Sequence, residues 1–480
     1  MKNMKMYVNG KWVESSNNDR IDVKNPSNGE VIATIPRGQA EDVNAAVQAA
    51  KVAFQSEEWR SVKAFERGRL LNRIAQKIMD NRDELARLET MDVGKPLAQG
   101  YADIDAAVRY FEFYAGGADK VMGDTIPIED GLIDYVVREP VGVTAHIVPW
   151  NYPIQILSRS VAAAIATGNT VVVKSAEDTP KTATRIAEFF DELDIPDGVF
   201  NHVTGYGYEA GAALSSHPEI NHVTFTGSVQ TGTAVANAAT KNVVPVTLEL
   251  GGKSPNIVFA DCNVEKAVEG VVKAIIQNAG QTCSAGSRLL VEESFKDAFL
   301  EKVVDRFKAL TVGPALEDKD LGPILNEKQF NQIMKFIELA KEEGTIVTGG
   351  NQVSIENAEN GCYLEPTIID NVSTDSKIAQ EEIFGPVLSV FTFKDDGDAI
   401  SLANSTEYGL VTGIWTQDIS RAHKLASRID SGQIFVNNYG AGGGVQMPFG
   451  GYKKSGFGRE KGWIALYNYT QVKNVAIKYD

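Results

Sequence analysis

Residues 141–174 have the sequence VGVTAHIVPWNYPIQILSRSVAAAIATGNTVVVK. Two short apolar runs, Val141–Val148 and Thr170–Val173, enclose a segment that is long enough for a helix. The same alternation continues downstream through the apolar runs Gly198–Val203, His222–Phe225 and Val244–Leu248. Short apolar strands that alternate with helices indicate a parallel sheet covered by helices on both faces.

The alternation resumes after Pro255, in three further apolar runs at Asn256–Phe259, Arg288–Val291 and Val387–Phe393. A chain of 480 residues is also too long for a single hydrophobic core. The predicted fold class is therefore α/β, with two doubly wound open-sheet units in series.

The segments that flank these units have different patterns. In the first third, apolar residues recur at helical spacing and predict core-facing helices, in the sets Val43, Val47, Ala50, Phe54 and Leu70, Ile74, Ile78, Leu85, Leu88. Asp130-Gly131 is a hairpin signal between two runs rich in strand formers, Val121–Ile128 and Leu132–Arg138. We interpret this hairpin as a projecting arm. The alternation of Val475, Ile477 and Tyr479 predicts an edge strand.

Composition limits the classes of partner. The chain has 47 Lys and Arg against 63 Asp and Glu, a formal net charge of −16, which disfavours phosphate backbones and anionic lipid surfaces. The N-terminus lacks the pattern of a secretory signal, and Arg159, Gly168 and Asn169 interrupt the longest apolar tract. Three cysteines are too few for a disulfide framework. These features predict a cytoplasmic protein without nucleic-acid or membrane partners.

Cys283 lies in a loop of small residues, NAGQTCSAGSR at 278–288. Small neighbours leave the sulfur approachable and let backbone N–H groups come close to a bound reactant. A nucleophilic cysteine needs a lowered pKa, which a following helix N-terminus or a nearby cation can supply. A buried structural cysteine is the alternative, and we favour it for Cys262 and Cys362.

Two polar residues at strand ends are candidate partners of this cysteine. Glu249 ends an apolar run just before two glycines, and a buried carboxyl there would have a raised pKa and act as a general base. A solvated Glu249, or one paired with Lys253, is the alternative. Asn151 follows another strand and can donate to a developing oxyanion, unless Pro149–Pro153 is simply a turn with a left-handed Asn.

Two further segments suit an anionic cofactor. Phe225–Gly232 has the pattern of a strand, a glycine turn and a helix start, whose backbone N–H groups would suit a phosphate. Lys174 and Glu177 follow another strand and can hydrogen-bond ribose hydroxyls, where the carboxylate favours NAD over NADP; a surface ion pair is the alternative. The five histidines have no metal-ligand spacing, so no metal site is predicted.

Taken together and in order, seven segments resemble the signature blocks of the NAD(P)-dependent aldehyde dehydrogenase superfamily, of its hydrolytic, non-acylating type. These segments are Pro149–Pro153, Lys174–Glu177, Phe225–Gly232, Leu248–Pro255, Gly280–Arg288, Glu381–Pro386 and Pro448–Gly456. The resemblance extends from about residue 7 to the C-terminus.

The resemblance implies three parts in each subunit. Residues 1–117 and 139–250 would form a Rossmann-like NAD-binding domain, to which 441–464 return, and 251–440 would form the catalytic domain. Residues 118–138 and 465–480 would form a β oligomerisation arm. The implied assembly is a homo-oligomer, a dimer or a tetramer, in which the arm extends a sheet of the neighbouring subunit; an exposed strand edge suits such pairing.

The resemblance also implies a reaction in which a small-molecule aldehyde becomes a carboxylic acid. Cys283 would attack the aldehyde to give a thiohemiacetal, whose oxyanion the Asn151 side chain and the Cys283 N–H would hold. After hydride transfer to NAD, or to NADP as the alternative, Glu249 would activate the water that hydrolyses the thioester. The implied cofactor-binding residues are Ile147, Val148, Pro149, Trp150, Lys174, Ser175, Glu177, Gly207, Gly211, Phe225, Gly227, Ser228, Leu250, Gly251, Glu382 and Phe384.

The implied substrate pocket contains Tyr152, Thr282, Ser284 and Phe449. Ser284 is small where many members carry a larger residue. The segment 437–447 contains several glycines where several members have an aromatic wall. We therefore expect a wide entrance and a broad or medium-sized substrate, such as a semialdehyde or an aromatic aldehyde. The competing hypotheses are a CoA-acylating dehydrogenase, a reductase of activated acids and a non-catalytic protein on the same fold. Glu249 disfavours the first, Glu249 with Glu382 disfavours the second, and the presence of Cys283, Glu249 and Asn151 disfavours the third.

Overall fold

The computed structural model describes residues 2–193, 195–440 and 444–479. Its strands, in chain order, are β1 Lys2–Asn3, β2 Met6–Val8, β3 Lys11–Val13, β4 Arg20–Lys24, β5 Val31–Pro36, β6 Asp124–Ile126, β7 Leu132–Pro140, β8 Val143–Ile147, β9 Thr170–Lys174, β10 Phe200–Val203, β11 His222–Thr226, β12 Val246–Glu249, β13 Pro255–Val258, β14 Arg288–Glu292, β15 Thr345–Thr348, β16 Gln352–Val353, β17 Tyr363–Leu364, β18 Thr367–Asp370, β19 Val387–Phe393, β20 Val411–Trp415, β21 Gln433–Val436, β22 Gly456–Phe457 and β23 Thr470–Lys478.

The α-helices, again in chain order, are α1 Ala40–Gln55, α2 Glu57–Arg60, α3 Ala64–Asp80, α4 Arg82–Val93, α5 Leu97–Gly117, α6 Pro153–Ala166, α7 Lys181–Asp191, α8 Ala212–Ser215, α9 Val229–Thr240, α10 Val264–Ile276, α11 Lys296–Lys308, α12 Glu327–Glu343, α13 Lys377–Gln380, α14 Asp396–Ala403, α15 Ile419–Ala426 and α16 Ala465–Asn468. In the described part of the chain, no helix is both long enough and apolar enough to cross a membrane.

The first predicted α/β unit is a sheet in the order β22-β12-β11-β8-β9-β10-β2-β3. Its central strands, β12 to β10 in that order, are mutually parallel and coincide with the five runs predicted from sequence. From β8 the chain adds β9 and β10 on one side and then β11 and β12 on the other. The strand order therefore reverses between β8 and β11, where the carboxyl ends of an open sheet leave a crevice for a ligand.

The second predicted unit is a sheet in the order β15-β18-β19-β14-β13-β20-β21. Its strands are parallel except for β15, which is antiparallel to β18. The predicted runs correspond to β13, β14 and β19, and the fold class is confirmed. The sequence did not predict β20, because Gly413 weakens its strand signal; a Cβ there would lie 2.5 Å from Asn256 Oδ1.

The predicted hairpin and the predicted C-terminal strand form one antiparallel sheet in the order β23-β7-β6. β7 pairs with β6 from Asp124↔Val136 and with β23 along its whole length, from Thr470↔Pro140 to Lys478↔Leu132. Both strand predictions are confirmed, whereas the pairing of β7 with β23 was not foreseen. Whether this sheet mediates oligomerisation stays a prediction, as do the domain bounds.

The two helical stripes pack into the core, with one difference from the prediction. Val43, Val47 and Ala50 of α1 are fully buried, and Phe54 is half-buried. The second stripe was treated as continuous, but it is divided between α3 and α4, because the backbone leaves the helical region at Asn81.

Candidate active site

Part of the predicted set of site residues meets at the crevice between β8 and β11. A cavity of about 260 Å³ opens there beside the sulfur of Cys283. It is lined by Pro149, Trp150, Asn151, Thr226, Gly227, Ser228, Gly251, Cys283, Gln329, Gln332, Glu382, Ile383 and Phe384. Nine of these thirteen residues were predicted, and they come from segments as far apart in sequence as β8 and the loop before β19.

Cys283 lies between a tight turn and the start of β14. Asn278 and Ala279 have left-handed backbones, at φ +48° and +51°, and reverse the chain after α10. A Cβ added to Gly252 would lie 2.4 Å from the Cys283 carbonyl oxygen, so only glycine allows the two segments to approach this closely. The half-buried Cys283 packs against an apolar cluster that contains Phe449.

The thiol of Cys283 differs from the sequence-based expectation. Burial, followed by the nearby Glu382 carboxyl, raises its pKa to about 12, and Arg159 opposes this only in part. The expected lowering by a helix N-terminus is wrong, because the segment after Cys283 enters β14 rather than a helix. The expected cation exists, but its effect is smaller than that of burial. Burial therefore favours the neutral thiol of Cys283 over the thiolate.

Glu249 is the last residue of β12, and it is 1% exposed. Burial raises its pKa well above the usual range, the neighbouring Glu460 raises it further, and Arg159 opposes both. Neither carboxyl oxygen has a hydrogen-bond partner among the described residues. The alternatives of a solvated Glu249 and of a pair with Lys253 are therefore both wrong. A buried, unpaired carboxyl of this kind is suited to proton transfer near neutral pH.

Asn151 is tied to the cysteine loop. Its side-chain Nδ2 donates to the Gln281 carbonyl at 3.0 Å, and Asn278 Nδ2 donates to the Asn151 carbonyl at 3.1 Å. The Asn151 backbone is not left-handed, so the simple-turn alternative is wrong. An amide nitrogen carries two hydrogens, and one of them remains for a further acceptor.

Lys174 is the last residue of β9 and forms an ion pair at 2.8 Å with Glu177, which follows the strand; Lys174 is almost fully buried. Next to them, the Ser175 hydroxyl and His202 Nε2 are 2.9 Å apart. Ser228 caps the N-terminus of α9 by accepting the Thr231 N–H at 3.2 Å. Gly207 and Gly211 bound a short π-helical turn, and no atom beyond the adjoining residues and backbone of that turn lies within 4 Å of a Cβ built at either position. The carboxyl ends of these neighbouring strands thus carry one buried cation, one carboxylate and open space at a helix start.

The remaining predicted cofactor residues lie near the ends of the same strands or in the loop before β19. Ile147 ends β8 and Val148 follows it, and both are buried, as are Phe225 in β11 and Leu250 after β12. The Glu382 carboxylate accepts the Gly252 N–H at 3.0 Å. Burial raises the Glu382 pKa to about 7, against the opposing effects of that N–H and of Lys253. Phe384 is edge-on to Trp150, with ring centres 5.3 Å apart.

The predicted pocket residues form hydrogen bonds around Cys283. The Tyr152 hydroxyl and Thr282 Oγ1 are 2.8 Å apart, and Lys95 Nζ lies 4.1 Å from the centre of the Tyr152 ring. The Ser284 carbonyl accepts the Tyr439 hydroxyl at 2.7 Å. The glycine segment expected to widen the entrance includes residues 441–443, which lie outside the described residues.

Residues 12–475 match the sequence profile of the aldehyde dehydrogenase family. The chain belongs to this family. It is 43% identical over 476 residues to hydroxyisobutyraldehyde dehydrogenase of Mycolicibacterium austroafricanum, covering 99% of this chain and 94% of that protein. The crystal structure of a putative aldehyde dehydrogenase from Burkholderia cenocepacia superposes with a TM-score of 0.97 at 49% identity, over 99% of this chain and all of that one. Betaine aldehyde dehydrogenase of Staphylococcus aureus, in complex with NAD+, gives 0.96 at 40% identity, over 99% and 95% of the two chains.

Sequence reasoning missed two glutamines in the cavity of this aldehyde dehydrogenase. Gln329 and Gln332 both lie on α12, one turn apart. Gln329 Nε2 donates to the Phe384 carbonyl at 3.0 Å and so supports a residue whose φ is +58°. Their spacing of three was a signal, but the exposed face of α12 carries many other polar residues at similar spacings.

A buried charged group behind Glu249 was also missed. Arg159 of α6 forms an ion pair with Glu460, and both side chains are almost fully excluded from solvent. Lys461 follows Glu460 in the chain. The signal was available, because a buried arginine within the apolar pattern of α6 requires a partner. The identity of that partner, some 300 residues away in sequence, was not deducible.

Proposed function

We propose that this aldehyde dehydrogenase oxidises an aldehyde to the carboxylic acid with NAD, through a covalent intermediate on Cys283. The proposal rests chiefly on one arrangement: a buried Glu249 without a hydrogen-bond partner shares the site with Cys283, while Asn151 is hydrogen-bonded to the loop that carries the cysteine. Nucleophile, oxyanion donor and base are the three roles that aldehyde oxidation with hydrolysis requires.

Cys283, Asn151 and Glu249 each act at a different step of the proposed reaction. The Cys283 sulfur attacks the aldehyde carbon as its proton leaves to a base, and the free N–H of Asn151 with the Cys283 N–H stabilises the resulting oxyanion. Each such donor contributes roughly 3 kcal/mol to the transition state. Collapse of the oxyanion expels a hydride and leaves a thioester. Glu249 then removes a proton from water, the hydroxyl adds to the thioester carbon, and the acid leaves as the thiol is restored.

The crevice residues fit a dinucleotide. Space around Gly207 and Gly211 and the start of α9 at Ser228 suit the pyrophosphate. Lys174 and Glu177 suit the adenosine ribose, and Glu382 and Phe384 suit the nicotinamide end. When bound there, NAD accepts the hydride from the substrate carbon. The Glu177 carboxylate favours NAD, since it would repel the 2′-phosphate of NADP.

The test is NADH formation by the purified protein across an aldehyde panel, with NAD or NADP and with or without CoA. We expect turnover with NAD that does not need CoA, and its complete loss in Cys283→Ala. Cys362→Ser is the matched control, because Cys362 lies outside the cavity. Turnover that requires CoA, or that persists in Cys283→Ala, would contradict the proposal.

We also propose that residues 118–138 and 465–480 form an oligomerisation arm of a dimer or tetramer. Apolar Ile133, Val472 and Ile477 are exposed on its sheet, which supports burial against another subunit. The division of the rest into a cofactor domain, 1–117 and 139–250 with 441–464, and a catalytic domain, 251–440, follows the two sheets. The acidic charge and the few cysteines support a cytoplasmic location.

A further inference from the structure

Lys461 places an unpaired ammonium group beside the aromatic ring of Phe449. Its Nζ lies 5.2 Å from the centre of that ring and 5.9 Å from the centre of the Tyr110 ring. Within the described residues it makes no hydrogen bond and no ion pair. The backbone holds it there, because Glu460 exchanges two hydrogen bonds with Phe449, at 2.6 and 2.7 Å, and Lys461 itself has φ +58°.

The neighbouring charges do not neutralise Lys461. Glu460 is engaged by Arg159, and Arg459 donates to the carbonyls of Gly451 and Gly458. Even with Glu249 ionised, the group consists of three cations, Lys461, Arg159 and Arg459, and only two carboxylates, Glu460 and Glu249. Desolvation and the proximity of Arg159 lower the pKa of Lys461 to about 8. The charged ammonium form is therefore destabilised, and a bound anion would stabilise it.

This excess positive charge lies close to the reacting cysteine. Phe449 belongs to the apolar cluster against which Cys283 packs, and Cys283 and Glu249 are both near enough to act electrostatically on Lys461. A second donor lies next to Lys461, since the hydroxyl of Tyr110 is fully buried and has no hydrogen-bond partner among the described residues. A cation and a hydroxyl, both unpartnered, are the groups that would bind a carboxylate.

We propose that the physiological substrate is an aldehyde with a carboxylate at its far end, and that Lys461 binds this carboxylate with help from the Tyr110 hydroxyl. This inference rests on the proposed aldehyde oxidation and specifies its substrate class as semialdehydes. The same charge disfavours cationic aldehydes such as betaine aldehyde, on which one of the relatives named above acts.

The experiment compares kcat/KM for pairs of aldehydes that differ only at the far end. Suitable pairs are succinic semialdehyde with butanal, and 4-carboxybenzaldehyde with 4-methylbenzaldehyde. We expect the wild-type protein to prefer the carboxylate of each pair by roughly tenfold or more, as a charge-assisted contact allows. Lys461→Met should abolish most of this preference through a higher KM, and Lys461→Arg should restore part of it. Lys454→Met, on an exposed lysine of the same segment, is the control.

Binding of product acids separates this inference from the proposed function. Calorimetry measures the binding of two dicarboxylates, succinate and terephthalate, and of the monocarboxylate 4-methylbenzoate for comparison, and it needs no turnover. The dicarboxylates should bind about tenfold more weakly to Lys461→Met than to the wild type. If the wild type oxidises no aldehyde, the proposed function fails and this binding comparison alone decides the inference. An unchanged substrate ratio in Lys461→Met, or unchanged acid binding, would overturn it.

Discussion

At the scale of single residues, burial decides the chemistry of Glu249. Its carboxyl ends β12 in the interior, where no hydrogen bond stabilises the charged form, so its pKa rises. A carboxylate held this way is a stronger base than one in water, which suits the proton transfer from water that we propose for it.

Replacing Glu249 with Gln tests this role. We expect one round of NADH formation per subunit, followed by steady-state turnover that is slower by roughly 10²–10⁴-fold, because the thioester forms but is not hydrolysed. Stopped-flow absorbance of NADH measures both phases. Glu407→Gln, an exposed glutamate paired with Lys454, is the control. Absence of the first round would mean that Glu249 acts before hydride transfer instead.

Cys283 makes the reaction depend on pH. Its pKa of about 12 lies far above neutrality, and the pKa of Glu249 is also raised. Below these pKa values, each rise in pH increases the fraction of thiolate and of carboxylate, so kcat/KM should rise from about pH 6 to about pH 9. Initial rates with saturating NAD measure the profile, and circular dichroism at each pH checks that the fold persists. A rate that falls over this range would contradict the assignment.

At the scale of elements, we propose that the loop between β9 and α7 determines the choice of cofactor. Lys174 at the strand end and Glu177 three residues later form one ion pair, and the side chain of Lys174 is only 3% exposed. Because Glu177 follows the carboxyl end of a parallel strand, we expect it to accept a ribose hydroxyl and exclude a phosphate.

Glu177→Ala should therefore change cofactor selectivity. We expect the ratio of kcat/KM for NAD over NADP to fall by about tenfold, because the repulsion of the 2′-phosphate disappears and Lys174 becomes free to bind it. Glu192→Ala, just after the far end of α7, is the control. An unchanged ratio would show that Glu177 does not face the adenosine ribose.

At the scale of the whole molecule, the arm sheet leaves its outer strands exposed. β6 and β23 are the edges of this sheet, and Val472 and Ile477 on β23 are 59% and 47% exposed. An edge of this kind is suited to pairing or packing with another subunit.

The double substitution Val472→Lys and Ile477→Lys should convert the proposed dimer or tetramer to smaller species, because buried charge without a partner is costly. Sedimentation velocity measures the change. Val347→Lys, an exposed apolar residue on the edge strand β15 of the other sheet, is the control. The same sedimentation coefficient for wild type and double variant would contradict the role of the arm.

Sequence patterns were sufficient wherever a local interaction controls the structure. The run Val141–Val148 predicted β8, and Asp130-Gly131 predicted the hairpin before β7, because apolar alternation and turn chemistry act over a few residues. The same reasoning failed for β20, where the glycine at position 413 leaves room for the side chain of Asn256 on the adjacent strand. It also treated α3 and α4 as one stripe, since periodicity does not register a break at a single residue.

By itself, therefore, the sequence determined the alternating α/β fold, the family resemblance and the candidates Cys283, Glu249 and Asn151, which are properties of short segments. Only the tertiary structure decided the electrostatics. The high pKa of Cys283, the burial of Glu249 without a partner and the unpaired ammonium of Lys461 depend on residues brought together from distant parts of the chain. Charge interactions and desolvation act through space, and no spacing along the chain encodes them.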